Sequence, residues 1–205
     1  MDNLFNLPLA FQVMAKQKVQ KLITYPLDKS RWNDFVKLFG ERGACGGCWC
    51  MTWRLKSSDF EKMKGEKNRK AIQKIVNSGE PAGVIGYVND EPVAWCAVAP
   101  REKFIRLENS RVLKRIDDKP VWSVTCFFIN RPFRRQGLSV ELLKGVIEYC
   151  RKQKVKIIEA YPSDLKKDLP DVFVWTGIAS SFLKAGFKES ARNSKTRPIM
   201  RFTFK

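Results

Sequence analysis

The stretch Val121–Cys150, VWSVTCFFINRPFRRQGLSVELLKGVIEYC, decides how the rest of the chain is read. Its first nine residues are almost continuously apolar, with β-branched and aromatic side chains. That is the pattern of a strand buried on both faces. Asn130-Arg131-Pro132 breaks it, since proline cannot continue a central ladder. From there Leu138, Leu142, Leu143, Val146, Ile147 and Cys150 recur at helical spacing. Between strand and helix lies Arg134-Arg135-Gln136-Gly137-Leu138-Ser139. A loop of this kind aims successive backbone N–H groups and the positive end of a helix dipole at one point. Gly137 has no Cβ, so an anion can approach the main chain closely. The stretch predicts a phosphate site.

A dinucleotide fold wants three glycines at G-x-G-x-x-G, and only Gly137 is present. Glu159 does lie near the end of the next predicted strand, where such a fold keeps its ribose-binding acid, but one matching feature is too little. No G-x-x-x-x-G-K-[ST] occurs, which excludes a P-loop. The stretch resembles the acetyl-CoA loop of the GNAT acetyltransferase superfamily, R/Q-x-x-G-x-G/A after a buried strand. Arg134 and Gly137 match, while Ser139 stands where that pattern has Gly or Ala. Ser181-Phe182-Leu183-Lys184-Ala185-Gly186-Phe187 is similar to the family's late helix ending in Gly-Phe. The resemblance spans roughly Tyr25 to the C-terminus and implies a mixed α/β (α+β) fold. Its expected core is a mostly antiparallel central sheet, flanked by helices and splayed at the cofactor site.

Composition narrows the chemistry. The 205 residues fit one domain over 22–205 behind an N-terminal arm, 1–21, and 44% hydrophobic content supplies a sizeable core. No apolar run reaches membrane-spanning length, which predicts no membrane partner. Asp2 and Pro8 interrupt the apolar-leaning start and no basic region precedes it, which predicts a cytoplasmic protein with reduced cysteines. There is no histidine. That excludes Ser-His-Asp and Cys-His catalysis, His-ligated metals and a His base. The net charge of +18 suits an anionic ligand such as coenzyme A, and also nucleic acid, although lysine-rich solvated faces supply most of the excess. A polyamine or aminoglycoside would be repelled unless the pocket is locally acidic.

Along the chain, Leu22–Tyr25 predicts a strand, and Asp28 or Ser30 caps a helix with Trp32, Phe35, Val36 and Phe39 on one face. Cys45, Cys48 and Cys50 then crowd a glycine-hinged loop. A closed zinc site needs four ligands, and Cys96, Cys126 and Cys150 are expected elsewhere in strands and a helix, so the loop is read as metal-free. Trp49, Trp53 and Arg54 are expected to line an acceptor pocket. A helix from Ser57 or Ser58 toward Asn77 carries Lys62, Lys64, Lys67, Arg69, Lys70 and Lys74. Gly83–Val88 and Pro92–Ala99 form a hairpin through Asn89-Asp90-Glu91. A short helix is expected near Leu107–Leu113. Beyond the central stretch, Val155–Ala160 and Pro198–Phe204 predict strands, Trp175–Ala185 a helix, and Tyr161–Asp171 a polar, turn-rich connection.

The resemblance implies an acyltransferase that passes acetyl from acetyl-CoA to a primary amine of a small molecule or peptide by direct attack. Phe127, Phe128 and Ile129 would pair with the pantetheine arm, and Arg134, Arg135, Gln136, Gly137, Leu138 and Ser139 would hold the pyrophosphate. The family often uses a tyrosine four residues before the Gly-Phe glycine as an acid; Phe182 stands there and cannot donate. Ser180, Ser181 and Tyr161 are the nearby hydroxyls. Glu159 is the preferred base, ahead of Glu91 and Asp164. Cys126 is expected in the core. Two other readings compete: an RNA- or ribosome-associated basic protein, and a CoA-binding shell without turnover. Nucleic acid is not favoured, since no RNP- or KH-type signature occurs. A monomer and a homodimer are both compatible with the sequence.

Overall fold

The computed structural model describes residues 21–164 and 174–205. The expected arm, 1–21, lies outside them except for Lys21. One seven-stranded sheet organises the chain, in the spatial order β1-β2-β3-β4-β5-β7-β6. The strands are β1 (Ile23–Pro26), β2 (Gly83–Val88), β3 (Glu91–Pro100), β4 (Trp122–Ile129), β5 (Ile157–Ala160), β6 (Lys188–Arg192) and β7 (Pro198–Thr203). β4 and β5 pair in parallel, and the other neighbours are antiparallel. The mixed, mostly antiparallel sheet flanked by helices is the expected fold.

Period-two alternation divides the core into two faces. Val84, Cys96, Val98 and Val124 turn toward α5 (Leu138–Lys152), whose Leu142, Leu143, Val146 and Cys150 meet them with no exposure. Ile85, Trp95 and Ala97 turn the other way, onto Phe35 and Phe39 of α1 (Trp32–Phe39) and Ile72 and Val76 of α3 (Glu66–Ser78). A smaller cluster of Phe104, Leu107, Leu113, Tyr161 and Ile199 closes the end near α4 (Ile105–Glu108). The Asn89-Asp90 turn has φ of 49° and 61°, the mirror-image turn that matches strand twist.

Several boundaries differ from expectation. The helix expected from Ser57 to Asn77 is two helices, α2 (Ser57–Met63) and α3, broken at Lys64-Gly65. The break is tertiary: Gly65 N–H donates to Gly47 C=O at 2.9 Å, and a Cβ on Gly47 would meet Gly65 N at 2.5 Å. Ser57 lies inside α2 rather than capping it. The helix expected over Trp175–Ala185 is only α6 (Ala179–Lys184), because Gly177 adopts a φ of 82°. β6 has no counterpart in the sequence reading. Among the described residues, no helix is long and apolar enough to cross a membrane.

Candidate active site

The site forms where β4 and β5 part company. Their pairing covers only Trp122–Val124 against Ile158–Ala160, and β4 runs on to Ile129 paired with β3 but not with β5. A bulge assists: Ala97 pairs with Cys126 and Val98 with Val124, so Thr125 is the extra residue on β4. Asn130 N–H donates to Val93 C=O at 2.8 Å. By alternation Phe128 then faces β3, while the main-chain groups of Phe127 and Ile129 turn to the opening. This corrects the expectation that three consecutive residues pair with a pantetheine arm. In the structure Phe127 N–H donates to Trp175 C=O at 2.6 Å, so the donor is already used within the chain.

Beyond β4, Arg134 Nε donates to Ile129 C=O at 2.8 Å and Gln136 Nε2 to Pro132 C=O at 2.9 Å. These bonds fix the loop and direct both side chains at their own backbone. Gly137 sits immediately before α5 with φ of 80°, and a Cβ there would have nothing within 4 Å. The N–H groups of Leu138 and Ser139 open the helix behind Gly137, where the first turn has no intrahelical acceptor, and those of Arg135 and Gln136 lead into it. A fifteen-residue helix adds its dipole. The Leu138 side chain is buried in the core, and Ser139 Oγ lies 3.0 Å from Ser181 Oγ, tying α5 to α6.

The proton-transfer candidates are not brought to this opening. Glu159 is 1% exposed and both its oxygens are engaged. Oε1 accepts from Arg101 Nη1 at 2.9 Å and Tyr161 OH at 2.6 Å, and Oε2 from Arg201 Nε at 2.7 Å. The expected base is therefore a buried carboxylate inside an ion-pair network. Its neighbour Tyr161 also receives Arg101 Nη1 at 2.6 Å and lies 2.9 Å from Ser123 Oγ. Burial first, then the Glu159 charge, raise its pKa well above that of a free phenol. Ser180 is exposed; the buried hydroxyl of the pair is Ser181. Phe182 is fully buried, edge-on to Phe127 and Phe187 at 5.5 and 5.1 Å. Glu91 is exposed at the start of β3, and Asp164 pairs with Arg192 at 2.7 Å.

The expected acceptor trio separates as well. Trp49 is 2% exposed, stacked on Phe39 at 5.7 Å, and belongs to the core. Arg54 is buried, donating to Pro81 C=O at 3.0 Å, with its guanidinium over the Phe104 ring. Trp53 alone reaches a cavity, a depression of about 400 Å³ that it shares with Lys56, Ser57, Arg106, Trp175 and Arg197. Its ring centre lies 5.8 Å from that of Trp175, and among the described residues its buried indole N–H has no acceptor. An unmade bond of that kind costs about 1–3 kcal/mol. Trp175 joins this depression to the Phe127 N–H through its own carbonyl. Sequence reasoning missed Trp175, Arg106 and Arg197, since only the fold brings them beside Trp53.

The cysteine loop also differs in one respect. Cys126, expected apart from the others, hydrogen-bonds Cys50, whose sulfur also accepts from Trp95 Nε1 at 3.1 Å. The Cys126 bond lowers the Cys50 pKa and raises that of Cys126. Among the described residues, no three Cys, Asp or Glu side chains are grouped to hold a metal ion.

A mixed sheet splaying at its parallel pair, beside a glycine loop that opens a long helix, is the architecture of an acetyltransferase. The family model described as Acetyltransferase (GNAT) family matches residues 49–166, and the chain belongs to that family. Solved structures agree in fold. A GNAT family acetyltransferase from Streptococcus agalactiae superposes with a TM-score of 0.54 at 15% identity, covering 90% of this chain and 96% of the other. One from Listeria monocytogenes gives 0.55 at 7%, covering 89% and 95%. The PaiA N-acetyltransferase from Thermoplasma acidophilum, in complex with coenzyme A, gives 0.50 at 13%, covering 89% and 99%. No curated protein matches the sequence.

Proposed function

We propose that residues 22–205 act as one domain that transfers acetyl from acetyl-CoA to a primary amine. The observation that carries this reading is the splay after Val124 and Ala160, continuous with the N–H-lined loop at Gly137. The resemblance to a coenzyme A complex of the same fold supports the choice of cofactor. Arg135 to Ser139 would donate main-chain N–H groups to the pyrophosphate. Phe127 and Ile129 would pair with the pantetheine amides once Trp175 C=O yields the Phe127 N–H. Acetyl-CoA, when bound, supplies the thioester carbon that the amine attacks.

The amine nitrogen forms the new C–N bond, the carbonyl oxygen takes up negative charge, and the C–S bond then breaks. A backbone N–H near the carbonyl stabilises that oxyanion, typically by ~3–4 kcal/mol for one well-placed donor. The amine proton passes to water, because Glu159 is committed to two arginines and a tyrosine. A thiolate of pKa near ~8.5 leaves without an acid, so Phe182 is no obstacle. A second reading, a CoA-ester-binding shell without turnover, is favoured by one observation: both oxygens of Glu159, the acid on β5, are already engaged. Calorimetry with acetyl-CoA, followed by thiol release across a panel of primary amines, separates the two. Thiol release with an acetylated product establishes transfer; binding without it establishes the shell; failure to bind removes both.

A further inference from the structure

The depression at Trp53 and Trp175 has an unusual charge arrangement for its position. Three cations line it, Lys56, Arg106 and Arg197, and no lining residue carries a carboxylate. Three other ordered arginines meet acids, Arg101, Arg192 and Arg201 each pairing with two carboxylates, while the buried Arg54 donates to the Pro81 carbonyl. Among the described residues, Lys56, Arg106 and Arg197 have none. A net charge of +18 leaves many lysines unpaired on the surface, so lack of a partner alone decides nothing. What distinguishes this cluster is that two guanidinium groups held in place by neutral acceptors line one depression together with a lysine. Arg106 donates from Nη2 to Ser57 Oγ at 2.6 Å and from Nη1 to Thr52 C=O at 3.1 Å. Arg197 donates from Nη1 to Thr176 Oγ1 at 3.1 Å and to Tyr161 C=O at 3.3 Å, and burial lowers its pKa. Both are partly buried, oriented, and without a counter-charge among the described residues.

We infer that the acceptor is an amine that also carries an anionic group, held by Arg197, Arg106 and Lys56 over the Trp53–Trp175 surface. The inference rests on the acetyl-transfer reading above and specifies its substrate class. The position fits, because Arg197 grips the carbonyl of the residue that follows β5, and Trp175 C=O sits on the Phe127 N–H at the opening. Two consequences follow from the same charges. An oriented arginine binds a carboxylate or phosphate through charge-assisted hydrogen bonds. Nearby positive charge also disfavours an ammonium, so the attacking nitrogen is shifted toward its neutral form. The second effect does the work that Glu159, committed to two arginines and a tyrosine, is not placed to do. Polyamines are excluded by the same field.

The test uses the full chain. Coenzyme A affinity is first measured by calorimetry, and its absence removes the acetyl-transfer reading together with this inference. With coenzyme A saturating, tryptophan fluorescence then reports binding of matched amines: L-phenylalanine against phenethylamine, glycyl-L-phenylalanine against its amide, and O-phosphoethanolamine against ethanolamine, with spermidine as the polycation. At least one anionic member should bind tenfold or more tightly than its uncharged-tail partner. The first two pairs report a carboxylate and the third a phosphate. Lys56→Glu, at an exposed position, should reduce that preference at least threefold, and Arg197→Gln should reduce it further. Equal affinity within every pair, preference for spermidine, or no binding by any anionic member overturns the inference. If coenzyme A binds normally, any of these outcomes leaves the acetyl-transfer reading standing.

Discussion

The guanidinium of Arg101 and the carboxylate of Glu159 lie 2.9 Å apart, with each side chain only 1% exposed. Arg101 follows β3 and Glu159 is on β5, while Arg201 on β7 reaches the second carboxylate oxygen at 2.7 Å. One acid therefore ties three strands together at the root of the splay. Removing one partner of such a network leaves uncompensated buried charge, which costs about 3–5 kcal/mol. Glu159→Gln should lose stability of that size in urea unfolding while the pH profile of activity keeps its shape. A hundredfold loss of kcat at unchanged stability would return Glu159 to the role of base.

Asp117 marks the outer end of the same network. It accepts two hydrogen bonds from Arg201, at 2.6 and 3.0 Å, and these hold its carboxyl at about 2. The folded value lies below the unfolded one of roughly 3.9, so the contribution is complete above that pH and is lost as pH falls toward the folded value. The melting temperature of Asp117→Asn should lie below that of the wild type at neutral pH. That gap should close between pH ~4 and ~2. A gap independent of pH would show that the pair adds nothing to folding.

At the loop, Gly137→Asp tests the anion site. The backbone there is left-handed at φ 80° with open space beyond the Cα, so the fold should survive with modest strain, about 1 kcal/mol. The new carboxylate would face the pyrophosphate. Coenzyme A affinity should fall at least tenfold by calorimetry, with Gly137→Ala losing less because it adds bulk without charge. Unchanged affinity in a folded Gly137→Asp protein would move the cofactor elsewhere.

Local pattern carried the strand, loop and helix of 121–150, because continuous burial and helical spacing are properties of adjacent residues. β6 was invisible for the opposite reason. Lys-Glu-Ser-Ala-Arg is an almost wholly exposed edge strand with no apolar alternation, paired only to β7. Glu159 was recognisable as an acid near the opening, but its partners lie 58 and 42 residues away. Nothing local announces that two arginines converge on it. Trp49 was misplaced in the same way: its surroundings, Phe35 and Phe39, come from α1 by packing.

Phe182 marks where this chain departs from the family pattern, and burial explains why a hydroxyl is absent. The ring is fully enclosed among Phe127, Phe187 and Gly177. Phe182→Tyr should lose about 1–3 kcal/mol from an unpaired buried hydroxyl. The rate should change less than threefold, since the thiolate leaves unassisted. A tenfold gain in kcat would show that the added hydroxyl reaches the leaving sulfur and supplies an acid that this chain otherwise lacks.

The last prediction concerns Trp175, whose carbonyl takes one of the β4 main-chain donors that face the opening, Phe127 N–H. A pantetheine amide carbonyl would make the same kind of bond. Exchanging one hydrogen bond for another is nearly neutral, within about 1 kcal/mol, so the Trp175 segment can yield without a large penalty. Its carbonyl must then turn away from Phe127 while the indole keeps its place beside Trp53, 5.8 Å away, and the change in the adjoining peptide should alter its emission. Titration with coenzyme A should therefore alter tryptophan fluorescence, and most of that change should vanish in Trp175→Phe. Affinity should shift less than threefold, because the displaced group is main chain and survives the substitution. If the full fluorescence change persists in Trp175→Phe, the carbonyl stays on Phe127 and the cofactor must pair with Ile129 alone.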